Sequence, residues 1–257
     1  MGFYGLEKEQ RNALVEKINR EITEDIRAGR KHYILQYFSD EDTYVRKAAY
    51  IGYGRIYATN KKLQSTIISI LETLLNEDDH KVRQTATNAA GEIGKTDFEV
   101  VSHIFDKGLL DDHHSVRNAV IGSMKKMGEK NPTPVIEWSR GYLHHANKEI
   151  RREICHGIEL RGRTHPEDIL PLLKELQFDK TKRVRWTLVH VLGQISYKKG
   201  CLEKVMNDII EWENKELVAD AIAEIVDVHE RYRNFSFYTQ DEVKAIVDSY
   251  VKKTATP

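Results

Sequence analysis

Scarcity is the first feature of this chain. Two cysteines, Cys155 and Cys201, occur in 257 residues. That is too few for a disulfide scaffold and fits a reducing compartment. Five prolines leave long uninterrupted stretches, and clean strand alternation is hard to find. No stretch approaches the ~20 apolar residues of a membrane span, and the opening MGFYGLEKEQRNALVEK is too polar for a secretory leader. A soluble, cytoplasmic chain, monomeric and away from membranes, is expected. Neither charge sign dominates: 40 basic residues meet 40 acidic ones, so the whole-chain charge favours no polyanionic partner. Nothing matches a phosphate-cradling glycine loop, a nucleophile elbow or a metalloprotease helix, and no cofactor is expected. What the chain does have is charge and amphipathic pattern, with 31% charged and 40% apolar residues. Many exposed amphipathic helices would give that balance.

The pattern repeats. Val45-Arg46, Val82-Arg83, Val116-Arg117, Ile150-Arg151 and Val184-Arg185 recur at intervals of 37, 34, 34 and 34 residues, and a degenerate sixth copy starts near Leu217-Val218. Short turns, mostly acidic, precede the anchors: SDEDTY, NEDDHK, LDDHHS and FDKTKR. Apolar residues follow near +4, +7 or +8, and +11, as in Ala86, Ala89, Ala90 and Ile93, or Leu188, Val191, Leu192 and Ile195. A second amphipathic run such as TIISILETLL or DILPLLKELQ lies upstream of each turn. Each copy therefore reads as helix, tight turn, helix. So short a pair cannot bury its apolar face alone and must stack on its neighbours.

The fold expected is all-α: a right-handed α-solenoid of HEAT-like helical repeats (an α-α superhelix), with the anchor helices on the concave side. The whole chain, 1–257, is read as one domain. Residues 1–22 form an N-terminal cap with a helix over 6–20, residues 23–228 hold five to six repeats, and 229–257 form a C-terminal cap. Gly52, Gly91, Gly122, Gly157 and Gly193 are expected where second helices approach closely. Thr133-Pro134 and His165-Pro166 are expected to start helices. Tyr232, Phe235, Phe237 and Tyr238 are expected to cover the open end of the last repeat.

The turn aspartate followed by Val-Arg resembles the HEAT family of repeats over roughly residues 23–228. That resemblance implies an Asp–Arg ladder along the stack, so Arg46, Arg83, Arg117, Arg151 and Arg185 are read as structural.

Function is sought where one copy departs from its siblings. At +11, where other copies have Ile56, Ile93, Met127 and Ile195, the fourth has Arg161. It is read as a buried ion pair with Glu159 or Glu167, as the end of a slightly shortened helix that reaches solvent, or as a cation held at the concave wall. At +2, Lys47, Gln84, Asn118 and Arg152 give way to Trp186, which is either a groove filler or a stacking platform. Position +6 reads Ile51, Asn88, Gly122, His156, His190. No third ligand at a zinc-like spacing joins the two histidines, so no metal site is expected. His113-His114 and His144-His145 fall in or beside turns and read as solvated. Charge also segregates: residues 140–200 hold 13 Lys and Arg against 7 Asp and Glu, and residues 201–257 hold 7 against 12.

The stretch ANKEIRREICHGIELRGRTHPEDILPLLKELQFDKTKRVRWTLVHVLGQI resembles the HEAT-like alkylpurine DNA glycosylases of DNA alkylation repair. One branch of that family carries N-x-x-V-R-R, then E-G-x-R-P-R, then V-R-x-S-V-A-N-N-L-N-D-I. Asn147, Ile150, Arg151, Arg152, Gly157, Arg161 and Arg163 match the first part, and Val184, Arg185, Leu192 and Ile195 the second. Another branch places a tryptophan four residues before a catalytic aspartate; here Trp186 precedes His190. The resemblance implies duplex DNA on a basic concave face built by Arg152, Arg161, Arg163, Lys182, Arg183 and Trp186. It also implies excision of positively charged methylated purines. The family's carboxylate is replaced by His190, leaving Glu159 as the nearby acid, so Glu159 and His190 are the catalytic candidates. From another class comes a non-catalytic α-solenoid scaffold for protein–protein interaction, favoured by the zero net charge and acidic C-terminal quarter.

Overall fold

A computed structural model describes residues 2–254. Residues 255–257 of the expected C-terminal cap lie outside the described residues. The chain is all-helical, with no strand among the described residues. Its contacts gather into two compact units, residues 1–134 and 135–257.

The first unit holds α1 (Lys8–Ala28), α2 (His32–Phe38), α3 (Thr43–Thr59), α4 (Gln64–Leu74), α5 (His80–Gly94), α6 (Ser102–Leu109) and α7 (His114–Lys130). The first helix outruns the expected 6–20 span. Its apolar stripe continues through Ile18, Ile22 and Ile26, and it stops only at Gly29, which adopts the left-handed conformation at φ 63°. The second helices of successive repeats pack side by side: α3 lies against α1 and α5, and α5 against α7. The +4 to +11 positions of α5, Ala86, Ala89, Ala90 and Ile93, are all buried.

Small residues set the spacing unevenly. A Cβ on Gly91 would sit 2.3 Å from Ser123 Oγ, and one on Gly52 would meet Asn19 Oδ1 at 2.1 Å. Gly122 differs from the expectation, because a Cβ there meets nothing within 4 Å. Its face of α7 is open rather than pressed against another helix.

The second unit follows the first turn of α8 (Pro132–Arg140). It contains α9 (Lys148–Gly157), α10 (Glu159–Gly162), α11 (Pro166–Glu175), α12 (Lys182–Gln194), α13 (Leu202–Ile209), α14 (Lys215–Arg231) and α15 (Gln240–Thr254). The expected start of α8 at Pro134 moves to Pro132. Both prolines lie in the first turn, where the missing N–H has no intrahelical acceptor to lose. Pro166 does open α11, with Glu167 and Asp168 in its first turn. In this unit α12 lies between α9 and α14, α11 packs on α13, and α15 contacts α13 and α14.

Each anchor arginine closes its own turn. Arg83 Nη1 donates to the carbonyls of Glu77 and Asp78, and Arg151 Nη1 to those of His145 and Ala146. The same guanidiniums reach the next turn, Arg83 Nε to Asp111 Oδ2 at 2.7 Å and Arg151 Nε to Asp179 Oδ2 at 2.6 Å. The pairing is bidentate in both places, since each Nη2 also donates to the second carboxylate oxygen. Burial raises the pKa of Asp111 and Asp179, but the arginine hydrogen bonds and charges and a backbone N–H on each outweigh it. Both carboxyls end below their ordinary value.

At the C-terminal end, Tyr232 stacks on Tyr197 at 5.4 Å and Tyr238 Oη donates to Glu203. Phe235 and Phe237 remain exposed, although the Phe237 N–H donates to the Tyr197 carbonyl. The aromatics thus fasten the segment before α15 only in part.

Candidate functional site

The sequence RVRWTLVHVLGQI forms most of α12. Val184, Leu188, Val191, Leu192 and Ile195 are fully buried on its core side. The opposite side carries Trp186, Val189 and His190, which line a groove shared with Asp220, Glu224, Asp227 and Arg231 of α14. Trp186 is 68% exposed, so it fills no interhelical space. Lys182 Nζ lies 5.5 Å from its ring centroid. A neighbouring depression continues past Trp186 to Phe178, Lys180 and Glu216. Phe178 is 63% exposed. The groove therefore offers two aromatic surfaces, lysines on one side and carboxylates on the other.

Phe178, Asp220 and Glu224 were not singled out from the sequence, yet the 34-residue period contains two of them. Extended one repeat further, position +2 reads Arg152, Trp186, Asp220 and position +6 reads His156, His190, Glu224. The degenerate anchor at Leu217-Val218 obscures that register.

Below the groove, the fourth repeat's second helix breaks. The first segment, α9, ends at Gly157, and α10 restarts at Glu159. The break takes Arg161 off the apolar stripe. Its guanidinium binds Asp168, with Nε at 2.7 Å and Nη2 at 2.6 Å from Oδ2. The expected partners, Glu159 and Glu167, are engaged elsewhere: Glu167 by Lys204, and Glu159 by Arg163. Sequence proximity suggested the wrong acids because the break turns Arg161 toward the start of α11.

Glu159 is 1% exposed. Its Oε1 accepts from Arg163 Nη2 at 2.5 Å, and its Oε2 lies 3.0 Å from His156 Nε2. Arg163 also donates to Gln194 Oε1 at 2.9 Å. His190 Nδ1 is 3.4 Å from Glu224 Oε1, and Glu224 is held in turn by Arg231. His156 and His190 face each other edge-on, with ring centroids 6.3 Å apart. Glu159 and His190 thus lie in one cluster with His156, while Trp186 stands one turn from His190 on the groove side. Cys155 is fully buried beneath them, and burial followed by the Glu159 charge pushes its thiol up. It is an inert core residue rather than a nucleophile.

The arginines read as DNA contacts are tied down in the structure. Arg152 Nε donates to Glu149 Oε2 at 2.9 Å, and Arg183 Nη1 reaches Glu149 Oε1 at 3.2 Å. Burial raises the Glu149 pKa, but the Arg152 hydrogen bond and the Arg152, Arg183 and Lys148 charges bring it below its ordinary value. With Arg161 on Asp168 and Arg163 on Glu159, four of the six residues contact carboxylates, Arg152 and Arg183 sharing Glu149. Lys182 and Trp186 remain as an exposed pair.

Residues 32–125 match the family model described as HEAT repeats. No curated protein sequence matches the chain. Among solved structures, it is similar to crescerin, described as using a TOG domain array to regulate microtubules in the primary cilium. That match has 17% identity, covers 72% of this chain and 85% of the other, and has a TM-score of 0.52. It is also similar to a chain of the Pds5–Scc1 complex (14% identity, 97% and 38% covered, TM-score 0.48). An archaeal HEAT-like repeats protein from Thermococcus onnurineus NA1 matches at 13% identity (82% and 93% covered, TM-score 0.40). At these identities the crescerin likeness establishes fold and not activity. Periodic anchors, arginine-closed turns and stacked second helices agree with it: the chain has an all-helical α-solenoid fold, within which residues 32–125 match HEAT repeats.

Proposed function

We propose that the chain is a non-catalytic interaction scaffold whose α12–α14 groove receives a segment of a partner protein. The observation that carries this reading is the mixed character of the groove. Trp186 and Phe178 stand exposed between Lys180 and Lys182 on one side and Glu216, Asp220 and Glu224 on the other. Exposed aromatics of this kind anchor protein interfaces. Glu216 and Asp220 along one wall disfavour a phosphate backbone, whereas a wall that also carries the Arg231–Glu224 pair matches a peptide with both signs of charge. Panning a displayed peptide library on the full chain should yield sequences with an apolar anchor. Their affinity should fall at least tenfold on Trp186→Ala, as for a central interface tryptophan. Peptides insensitive to that substitution, or none at all, would remove the proposal.

The second reading is a duplex DNA-binding relative of the alkylpurine glycosylases. It is supported by the exposed Lys182–Trp186 pair and by Lys180 beside it. In that reading Glu159 is the charge-stabilising carboxylate, and its Oε2 side, toward His156, is the side not taken by Arg163. Its signature is retention of a short duplex at low salt, with affinity dropping by ~10³ or more between 50 and 200 mM for about six phosphate contacts. Release of base from methylated duplex, lost on Glu159→Gln, would establish the catalytic form.

A further inference from the structure

Two histidines and a glutamate of the second unit converge where the sequence places no recognisable ligand set. One ligand atom each from His156, Glu159 and His190 lies within 4.8 Å of the others. We propose that these three residues bind a divalent first-row transition cation, with Zn²⁺ and Co²⁺ as the fitting probes.

The chemistry of the donors points there. Two imidazoles and one carboxylate form the set used by open zinc sites and by mononuclear iron sites, and it does not suit the all-oxygen preferences of Ca²⁺ or Mg²⁺. Metal–ligand bonds of about 2.0–2.2 Å bring donors to within roughly 3.5 Å of each other, so only a modest closure is required. The exposed members can supply it: both imidazoles are partly exposed, while Glu159 is buried and held by Arg163. Arg163 holds Oε1 of that carboxylate and leaves Oε2 directed at His156, so the fixed ligand presents one oxygen. Coordination would replace the present His156–Glu159 contact.

The surroundings supply an outer shell. Glu224 Oε1 lies 3.4 Å from His190 Nδ1, near enough for a small turn of the imidazole to make it the carboxylate that orients a ligating ring. Arg231 in turn fixes Glu224, and Gln194 fixes Arg163. Charged groups at the cluster include the carboxylates of Glu159 and Glu224 and the guanidiniums of Arg163 and Arg231. His190 lines the groove one turn from Trp186, which leaves the remaining coordination positions open toward a bound carboxylate or water. This inference does not depend on what the groove binds.

Helical spacing and the repeat period explain why the three residues meet. Glu159 follows His156 by three residues, and Gly157 ends α9 between them. The period of 34 then brings His190 opposite His156 on the adjacent second helix.

Titration of the metal-free full chain with Co²⁺, followed by visible absorption and competed with Zn²⁺, tests the site. One equivalent should bind per chain with ligand-field bands. His156→Ala and His190→Ala should each abolish them. Glu224→Gln should weaken binding by about 10–100-fold, as for an outer-shell partner. Glu159→Gln should also abolish the bands, but it removes the partner of Arg163, so its thermal melting is recorded alongside. The His190 variant alters a partly exposed side chain and keeps the test decisive if the Glu159 variant fails to fold. The rival ligands are the stacked His80, His113 and His114 of the first unit. Absence of bands overturns the proposal, as does binding that survives His190→Ala or disappears on His113→Ala.

Discussion

The two units use the same grammar to different ends. In the first, Arg83 and Asp111 join successive turns; in the second, Arg151 and Asp179 do the same with nearly the same geometry. The +11 position of the first unit is uniformly apolar, and Ile56, Ile93 and Met127 are buried. The second unit places Arg161 there, breaks the helix and gathers His156, Glu159 and His190 around the break. The Arg–Asp rung can therefore be conserved in geometry while the helix it anchors is rebuilt. The rungs and the His156–Glu159–His190 cluster are written in separate columns of the repeat.

The largest expected effect tests whether the rungs are equivalent. Arg83→Ala and Arg151→Ala each leave a largely buried aspartate and two turn carbonyls without their donor, at side-chain exposures of 11% for Asp111 and 6% for Asp179. Each should lower unfolding stability by about 3 kcal/mol. Urea denaturation of both variants would break the comparison if one rung costs several times the other.

Next come the glycines. Gly91→Ala forces a Cβ to within 2.7 Å of Ser123 Cβ and should cost roughly 1–3 kcal/mol. Gly122→Ala meets open space within a helix and should stabilise by up to about 1 kcal/mol. Melting temperatures of the two variants should move in opposite directions.

The rungs also set an acid limit. Asp111 and Asp179 have folded pKa values below their unfolded ones, which lie near ~3.9. Their stabilisation is therefore complete above about pH 4 and is lost as pH falls through the folded values. Arg83→Ala and Arg151→Ala should each flatten the stability profile below pH 4; unchanged slopes would show that the acid limit lies elsewhere.

The smallest effect sharpens the distinction between scaffold and site. Trp186 is exposed and its ring contacts Lys182, so Trp186→Ala should change stability by no more than about 0.5 kcal/mol. A large loss of stability would mean that the indole supports the repeat instead of serving the groove.

The architecture was legible because its causes are local. Val-Arg anchors at 34-residue intervals, polar turns and apolar positions at helical spacing specify which residues face the core, and every stripe residue of α5 and α12 is buried. The stop of α1 was misjudged because the polar run after residue 20 conceals Ile22 and Ile26, whereas the terminating Gly29 was open to reading. Exposure of Trp186 was not legible in this way: its place off the stripe suited a groove filler and a stacking platform equally, and packing decided between them.

The sequence by itself thus determined the repeat, the helical stack and the columns in which the fourth and fifth copies depart from the rest. Tertiary structure alone decided the pairing among those departures. Whether Arg161 met Glu159, Glu167 or Asp168 depended on where α9 broke, and a one-turn change in that break redirects a guanidinium by several ångströms. The meeting of His156 with His190, and of both with Glu159, depended on the packing of α9 against α12. Helical periodicity fixes which face a residue occupies; only packing fixes which side chain it finds there.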